Sequence, residues 1–150
     1  ISACLVGSEM CIRDSPFVNG VEIDRLIAFF AGHDLDYAYN HVPGQGNGYP
    51  DGLGAEITTL ALLELAAAER ADPQDHEHVT RYLVQRPQRF RQATFPAPPD
   101  LALPQVKLDI DTPDDYRRMA SLAQALRERG LDPQDAPAVC RLWLELFAGL

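Results

Sequence analysis

Apolar residues in "VEIDRLIAFF" (21–30) fall at 23, 26, 27 and 30, the spacing of a helix face. Asn19 can cap its start and Gly32 can end it. "LDYAYNH" (35–41) and "AEITT" (55–59) read as short strands, and the five Gly and two Pro of "VPGQGNGYPDGLG" (42–54) require a loop between them. Thr59 is placed to cap "LALLELAAAER", a run of good helix formers. A further helix is expected over about 74–86, opened by Pro73 and closed before Pro87. "RQATF" (91–95) and "VKLDI" (106–110) read as strands. Thr112 with Pro113 starts a long helix with Asp114 and Asp115 in its first turn, and Gly130 stops it. Asp135 starts the last helix, apolar at 139, 142, 143, 146 and 147. Strands alternating with helices indicate an α/β domain in three layers.

The chain has 150 residues, 46% of them hydrophobic, so one domain can bury a sizeable core. A net charge of −9 argues against nucleic acid as a partner but leaves room for a phosphate-bearing ligand if a metal supplies positive charge. No apolar run reaches the roughly 18 residues of a membrane span, so no membrane partner is expected. All but one of the thirteen basic residues are arginine.

The stretch "LVGSEMCIRDS" (5–15) resembles a translated transposase sequencing adapter, in which ATG TGT ATA AGA GAC AG reads "MCIRDS". The expectation is that residues 1–15 are foreign to the domain. Residues 16–130 would then be the C-terminal part of a longer domain truncated at its N-terminus, and 131–150 a helical extension that covers the core or forms a homodimer contact. Cys4 and Cys11 leave the cysteine count on this reading. Cys140 remains as a lone thiol, which fits a reducing cytoplasm.

Chemistry concentrates in "KLDIDTPDD" (107–115). Residues i and i+2 on a strand share a face roughly 6–7 Å apart, so Asp109 and Asp111 would point together at the strand's C-terminal end, where open α/β sheets bind ligands. Two close carboxylates repel unless a cation sits nearby, and oxygen-only ligands suit Mg²⁺. Solvated turn residues would satisfy the same spacing. A phosphatase D-x-D-x-T motif does not fit, because Pro113 stands where its Thr belongs. The Gly loop lacks G-K-[ST] and is no P-loop; it reads as a mobile loop over a site or a surface excursion. In "DHEHVT" (75–80), His76 and His78 face different sides of a helix and Thr80 stands where a zincin needs His, which argues against zinc. His33 and His41 are isolated and expected at the surface.

The pieces "DSPFVN", "IDRLIAFF", "DYAYN", "YPDGLGAE", "EHVTRYL", "PQRFR" and "DIDTPDD" occur in one order. Together they resemble the C-terminal half of the sugar cytidylyltransferases of spore-coat polysaccharide biosynthesis. More distantly they are similar to the acylneuraminate and ketodeoxyoctonate cytidylyltransferases. The resemblance implies a Rossmann-like, glycosyltransferase-A-like nucleotidyltransferase fold. It implies transfer of CMP from CTP to a sugar acid or phosphorylated sugar, with release of pyrophosphate and Mg²⁺ as cofactor. Asp111 matches the metal-binding Asp before Thr-Pro, and Asp109 a second acid of the acylneuraminate branch. Tyr49, Asp51 and Glu56 match the loop that meets the sugar, and Glu77 and His78 the "EHVT" element beside it. Asp14 falls where the family has its other metal Asp, within the adapter-like stretch. The family's N-terminal Gly-Arg-Lys nucleotide loop has no counterpart here, so cytidine specificity rests on the resemblance alone. A non-catalytic sugar-phosphate or sugar-nucleotide binder, or uridylyl or guanylyl transfer on the same fold, are the alternatives. The 150-residue chain alone is expected to be inactive.

Overall fold

The computed structural model describes the backbone of residues 3–5 and, in full, residues 14–41, 46–69, 75 and 80–149. Helix α1 (Gly20–Ala31) begins at Asn19, whose side chain accepts hydrogen bonds from the Val21 and Glu22 amides. It is followed by strands β2 (Tyr37–Tyr39) and β3 (Glu56–Thr59); β1 (Ala3–Leu5) precedes them all. Thr59 Oγ1 accepts from the Leu62 amide at the start of α2 (Leu60–Glu69). A single helical turn, α3 (Arg81–Val84), leads to β4 (Gln92–Thr94). The chain closes with α4 (Pro113–Arg129) and α5 (Ala136–Phe147).

The four strands form one sheet in the order β1-β3-β2-β4. β3 runs antiparallel to both its neighbours, and β2 pairs in parallel with β4, Ala38 facing Ala93. Period-two alternation sends successive side chains to opposite faces. Tyr37 packs with Ala66, Tyr82, Leu83 and Phe90 on the side of α2 and α3. Ala38 and Ile57 pack with Leu26 and Phe30 of α1 on the other. Helices on both faces of a sheet give the expected three-layer α/β architecture.

A third apolar cluster lies between α4, α5 and the segment leading into α4. Met119, Leu122 and Leu126 of α4 meet Val139, Cys140, Leu142 and Trp143 of α5 over Val106 and Leu108. The C-terminal helix therefore covers the core. Thr112 and Asp115 form a reciprocal capping box, and Gly130 ends α4 in the left-handed conformation at φ 64°. Burial pushes the Cys140 thiol up to about 12, which leaves it a packing residue rather than a nucleophile.

Three expectations are corrected or bounded. The "VKLDI" segment is not a strand of the sheet. Among the described residues it is extended and makes one parallel bridge, Lys107 to Asp51, short of the ladder that a strand needs. Of the helix expected over 74–86, α3 and the helical residue Asp75 are described; the remainder lies outside the described residues. The described residues among the first fifteen meet the domain through backbone at β1 and at Asp14. β1 takes the outer edge of the sheet, Ala3 opposite Thr59, and the Asp14 carbonyl accepts from the Ile110 amide at 2.7 Å. Pairing with an open sheet edge asks little of side-chain identity.

Candidate active site

The segment 106–111 is held from one side by backbone. The Asp51 amide donates to the Val106 carbonyl (3.0 Å), and the Leu108 amide donates to the Asp51 carbonyl (2.9 Å). Val106 and Leu108 point into the core, which turns Lys107, Asp109 and Asp111 the other way. The turn at Gly52 makes the close approach work. Its φ is +76°, and a Cβ there would stand 2.6 Å from the Asp109 amide nitrogen.

Asp109 and Asp111 therefore converge as the spacing predicts, and a cation lies between them. Lys107 Nζ donates to Asp109 Oδ2 at 2.5 Å and to Asp111 Oδ2 at 2.6 Å. The side chain of Asp109 is 14% exposed and that of Asp111 64% exposed. Burial raises the Asp109 carboxyl above the ordinary range although Lys107 opposes it. Asp111, nearer solvent, is lowered by its hydrogen bond to Lys107. Partial burial works against the Lys107 charge, but its bonds to both carboxylates outweigh that and raise its pKa. Asp51 is raised by burial and then by the negative charge of Asp109.

One lysine does not saturate this cluster. Asp109 Oδ1 is buried and has no hydrogen-bond partner among the described residues. Among the described residues no three His, Cys, Asp or Glu side chains stand together as a metal cage. Two carboxylates with an acceptor to spare still fit Mg²⁺, which keeps several waters and binds through one or two carboxylates and substrate phosphates. Asp115 serves the helix start: its carboxylate accepts from the Thr112 amide and hydroxyl in the capping box and from the Asp111 amide at 3.3 Å. Asp14 is brought alongside by its carbonyl bond to Ile110, with its carboxylate accepting from Ser15 Oγ at 3.1 Å.

The loop expected to move over the site is anchored over 46–54. Asn47 donates to Thr94 Oγ1 and accepts from the Tyr49 amide. Tyr49 is fully buried, its ring edge-on to Phe95 and its hydroxyl donating to Glu22 Oε2 at 2.7 Å. It fixes the loop from inside and presents no surface to a ligand. Glu56 lies at the start of β3, largely buried, 3.3 Å from His41 Nε2. Burial opposes its charge, but bonds from His41, Thr80 and Tyr37 together lower its pKa. His41 is thus a partner of Glu56 rather than an isolated surface residue, and its Nδ1 is buried without a partner among the described residues. Glu77 and His78 lie outside the described residues. A separate cleft, lined by Asn19, Glu22, Arg25, Asp100, Gln134 and Asp135, opens between the starts of α1 and α5 and shares no residue with the acidic pair.

Lys107 and His41 were not anticipated as site residues. For Lys107 a signal existed, since it is the single lysine in a chain that otherwise uses arginine. For His41 nothing local marks the pairing, which depends on the return of the chain at β3.

No family profile matches the chain. It is 32% identical over 119 residues to the spore coat polysaccharide biosynthesis protein SpsF of Bacillus subtilis (strain 168), covering 77% of this chain and 46% of that protein. Its fold is similar to that of a cytidylyltransferase from Leptospira borgpetersenii serovar Hardjo-bovis (strain JB197), with a TM-score of 0.72 and 20% identity over 91% of this chain and 54% of the other. The chain spans about half the length of each. Its fold is thus of the kind seen in that cytidylyltransferase, and its sequence is similar to about half of that spore coat polysaccharide biosynthesis protein.

Proposed function

We propose that this chain is part of a sugar nucleotidyltransferase that moves CMP from CTP to a sugar acid or phosphorylated sugar in surface-polysaccharide synthesis. The observation that carries the proposal is the convergence of Asp109 and Asp111, one oxygen of Asp109 unpartnered among the described residues, beside the Gly52 turn. Asp111 and Asp109 would hold Mg²⁺. When bound, the ion would neutralise the triphosphate and polarise the α-phosphate. A sugar oxygen attacks the α-phosphorus in line, a P–O bond forms, and the bond to pyrophosphate breaks. No side chain need be covalently modified.

The protein's own contribution is positioning. The backbone bonds of Asp51 fix the height of Asp109 and Asp111 along the segment. By the resemblance, Asp51 and Glu56 would meet the sugar. Through Glu22 rather than by contact, Tyr49 supports the loop that carries Asp51.

The test is pyrophosphate release by the longest reading frame containing this chain, assayed with each of the four nucleoside triphosphates, Mg²⁺ and a panel of acidic sugars. CTP-selective, metal-dependent release that requires a sugar is expected. Equal use of UTP or GTP would reassign the nucleotide. Sugar binding with no release from any triphosphate would make the protein a binder.

A further inference from the structure

Twelve of the chain's thirteen basic residues are arginine, and the one lysine lies between the two site carboxylates. We propose that Lys107 is a positioning residue, an internal and displaceable counter-cation that holds Asp109 and Asp111 together and competes with a divalent ion for them. This rests on the reading of the pair as a metal site.

The arrangement has the three properties such a device needs. First, the lysine spans both carboxylates with one atom, at 2.5 and 2.6 Å, so it offsets their mutual repulsion while no metal is present. Second, it can leave. An ammonium is a point charge on a flexible stem, whereas a guanidinium clamps carboxylates through several fixed bonds. The Lys107 side chain is 34% exposed, and the backbone on either side of it is tied to Asp51, so the side chain can swing outward while the carboxylates keep their places. Third, the pair retains unmet demand, since Asp109 Oδ1 has no partner among the described residues and Asp51 adds a further negative charge nearby. Two cations that want the same oxygens antagonise each other reciprocally.

The competition predicts an order of metal affinity that a purely structural lysine would reverse. Mn²⁺ binding to the 150-residue chain is measured by electron paramagnetic resonance titration at fixed salt. Lys107→Met, which keeps most of the stem's volume, should bind Mn²⁺ about tenfold or more tightly than the parent. Lys107→Arg should bind it more weakly. Asp111→Asn should lose most binding. In parallel, isotope-labelled lysine gives one spin system in this chain. Its ε-methylene resonance should shift on Mg²⁺ addition and saturate together with metal binding. Unchanged or weaker affinity in Lys107→Met overturns the proposal, and so does an ε resonance that stays still while metal binds. Equal affinity in the parent and Asp111→Asn overturns the metal reading itself. No binding to either the parent or Lys107→Met overturns both. If Lys107→Met does not fold, the resonance measurement on the unmutated chain decides.

Discussion

The chain contains the Asp-x-Asp spacing twice, and the two copies behave differently. In "HDLDY", Asp34 and Asp36 are met by Arg91 from the start of β4. Arg91 gives Asp36 a backbone bond of 2.8 Å and side-chain bonds of 3.2 and 3.1 Å, with a further bond to Asp34. Both oxygens of Asp36 are satisfied, Arg91 is about half exposed, and the pair acts as a clasp between the strand ends. In "LDIDT", the cation comes from the same segment, touches one oxygen of each Asp, and leaves a buried acceptor open. The spacing alone does not make a site. What separates the two is how completely the partner cation meets the demand for hydrogen bonds and how deeply the acids are buried.

The largest effect is expected where the second copy depends on tertiary contact. Gly52→Ala places a Cβ against the Asp109 amide at a positive φ and should destabilise the chain on the order of 3 kcal/mol, seen in thermal or urea melts. Gly32→Ala, beside the first copy, has ordinary φ and a nearest contact of 3.4 Å, and should be nearly neutral. Similar costs at both glycines would erase the contrast.

Asp111→Asn should lower kcat of the active protein on the order of 10²-fold, the scale of losing one strong electrostatic contact. Asp109→Asn should cost less, and Asp36→Asn should leave kcat unchanged. Steady-state rates over a Mg²⁺ series check this. Near-normal turnover in Asp111→Asn would remove the catalytic side of the comparison.

Two smaller effects carry opposite pH signatures. The Asp51 carboxyl is raised by burial and by Asp109, so its ionisation weakens the fold above its folded pKa. Asp51→Asn should therefore stabilise the chain at neutral pH, on the order of 1 kcal/mol, with the gain fading as pH falls through that raised value. The hydrogen bonds from Arg91 lower Asp36, so its contribution is full above the ordinary 3.8 and is lost as pH falls through the lowered folded value. Asp36→Asn should cost about 0.5 kcal/mol at neutral pH and nothing in strong acid. Melting temperatures from pH 2 to 8 would show the two curves converging on the parent from opposite sides.

Much of the fold was legible because its signals are local. Asn19, Thr59, Thr112 and Asp135 all accept from amides in the first turns of their helices, and Gly32 and Gly130 stand at the ends expected for them. The apolar spacing of α5 picked out the face that meets α4. The acidic pair was legible for the same reason, since two residues of one extended segment share a face whatever packs around them. Tyr49 was read as a ligand contact and is instead core, because a tyrosine near a loop signals amphipathic character but not the direction it takes. That direction depends on Glu22, 27 positions earlier.

By itself, then, the sequence determined where α1, α2, α4 and α5 begin, that the domain is α/β, and that Asp109 and Asp111 lie side by side. These follow from capping, periodicity and backbone geometry within a few residues. Only the tertiary structure decided that "VKLDI" bridges Asp51 instead of joining the sheet, that His41 belongs to Glu56, and that one Asp-x-Asp is clasped by arginine while the other keeps an open oxygen. Each of these depends on a partner supplied from elsewhere in the chain or on burial by the surrounding fold, and neither is written in the local spacing that a sequence displays.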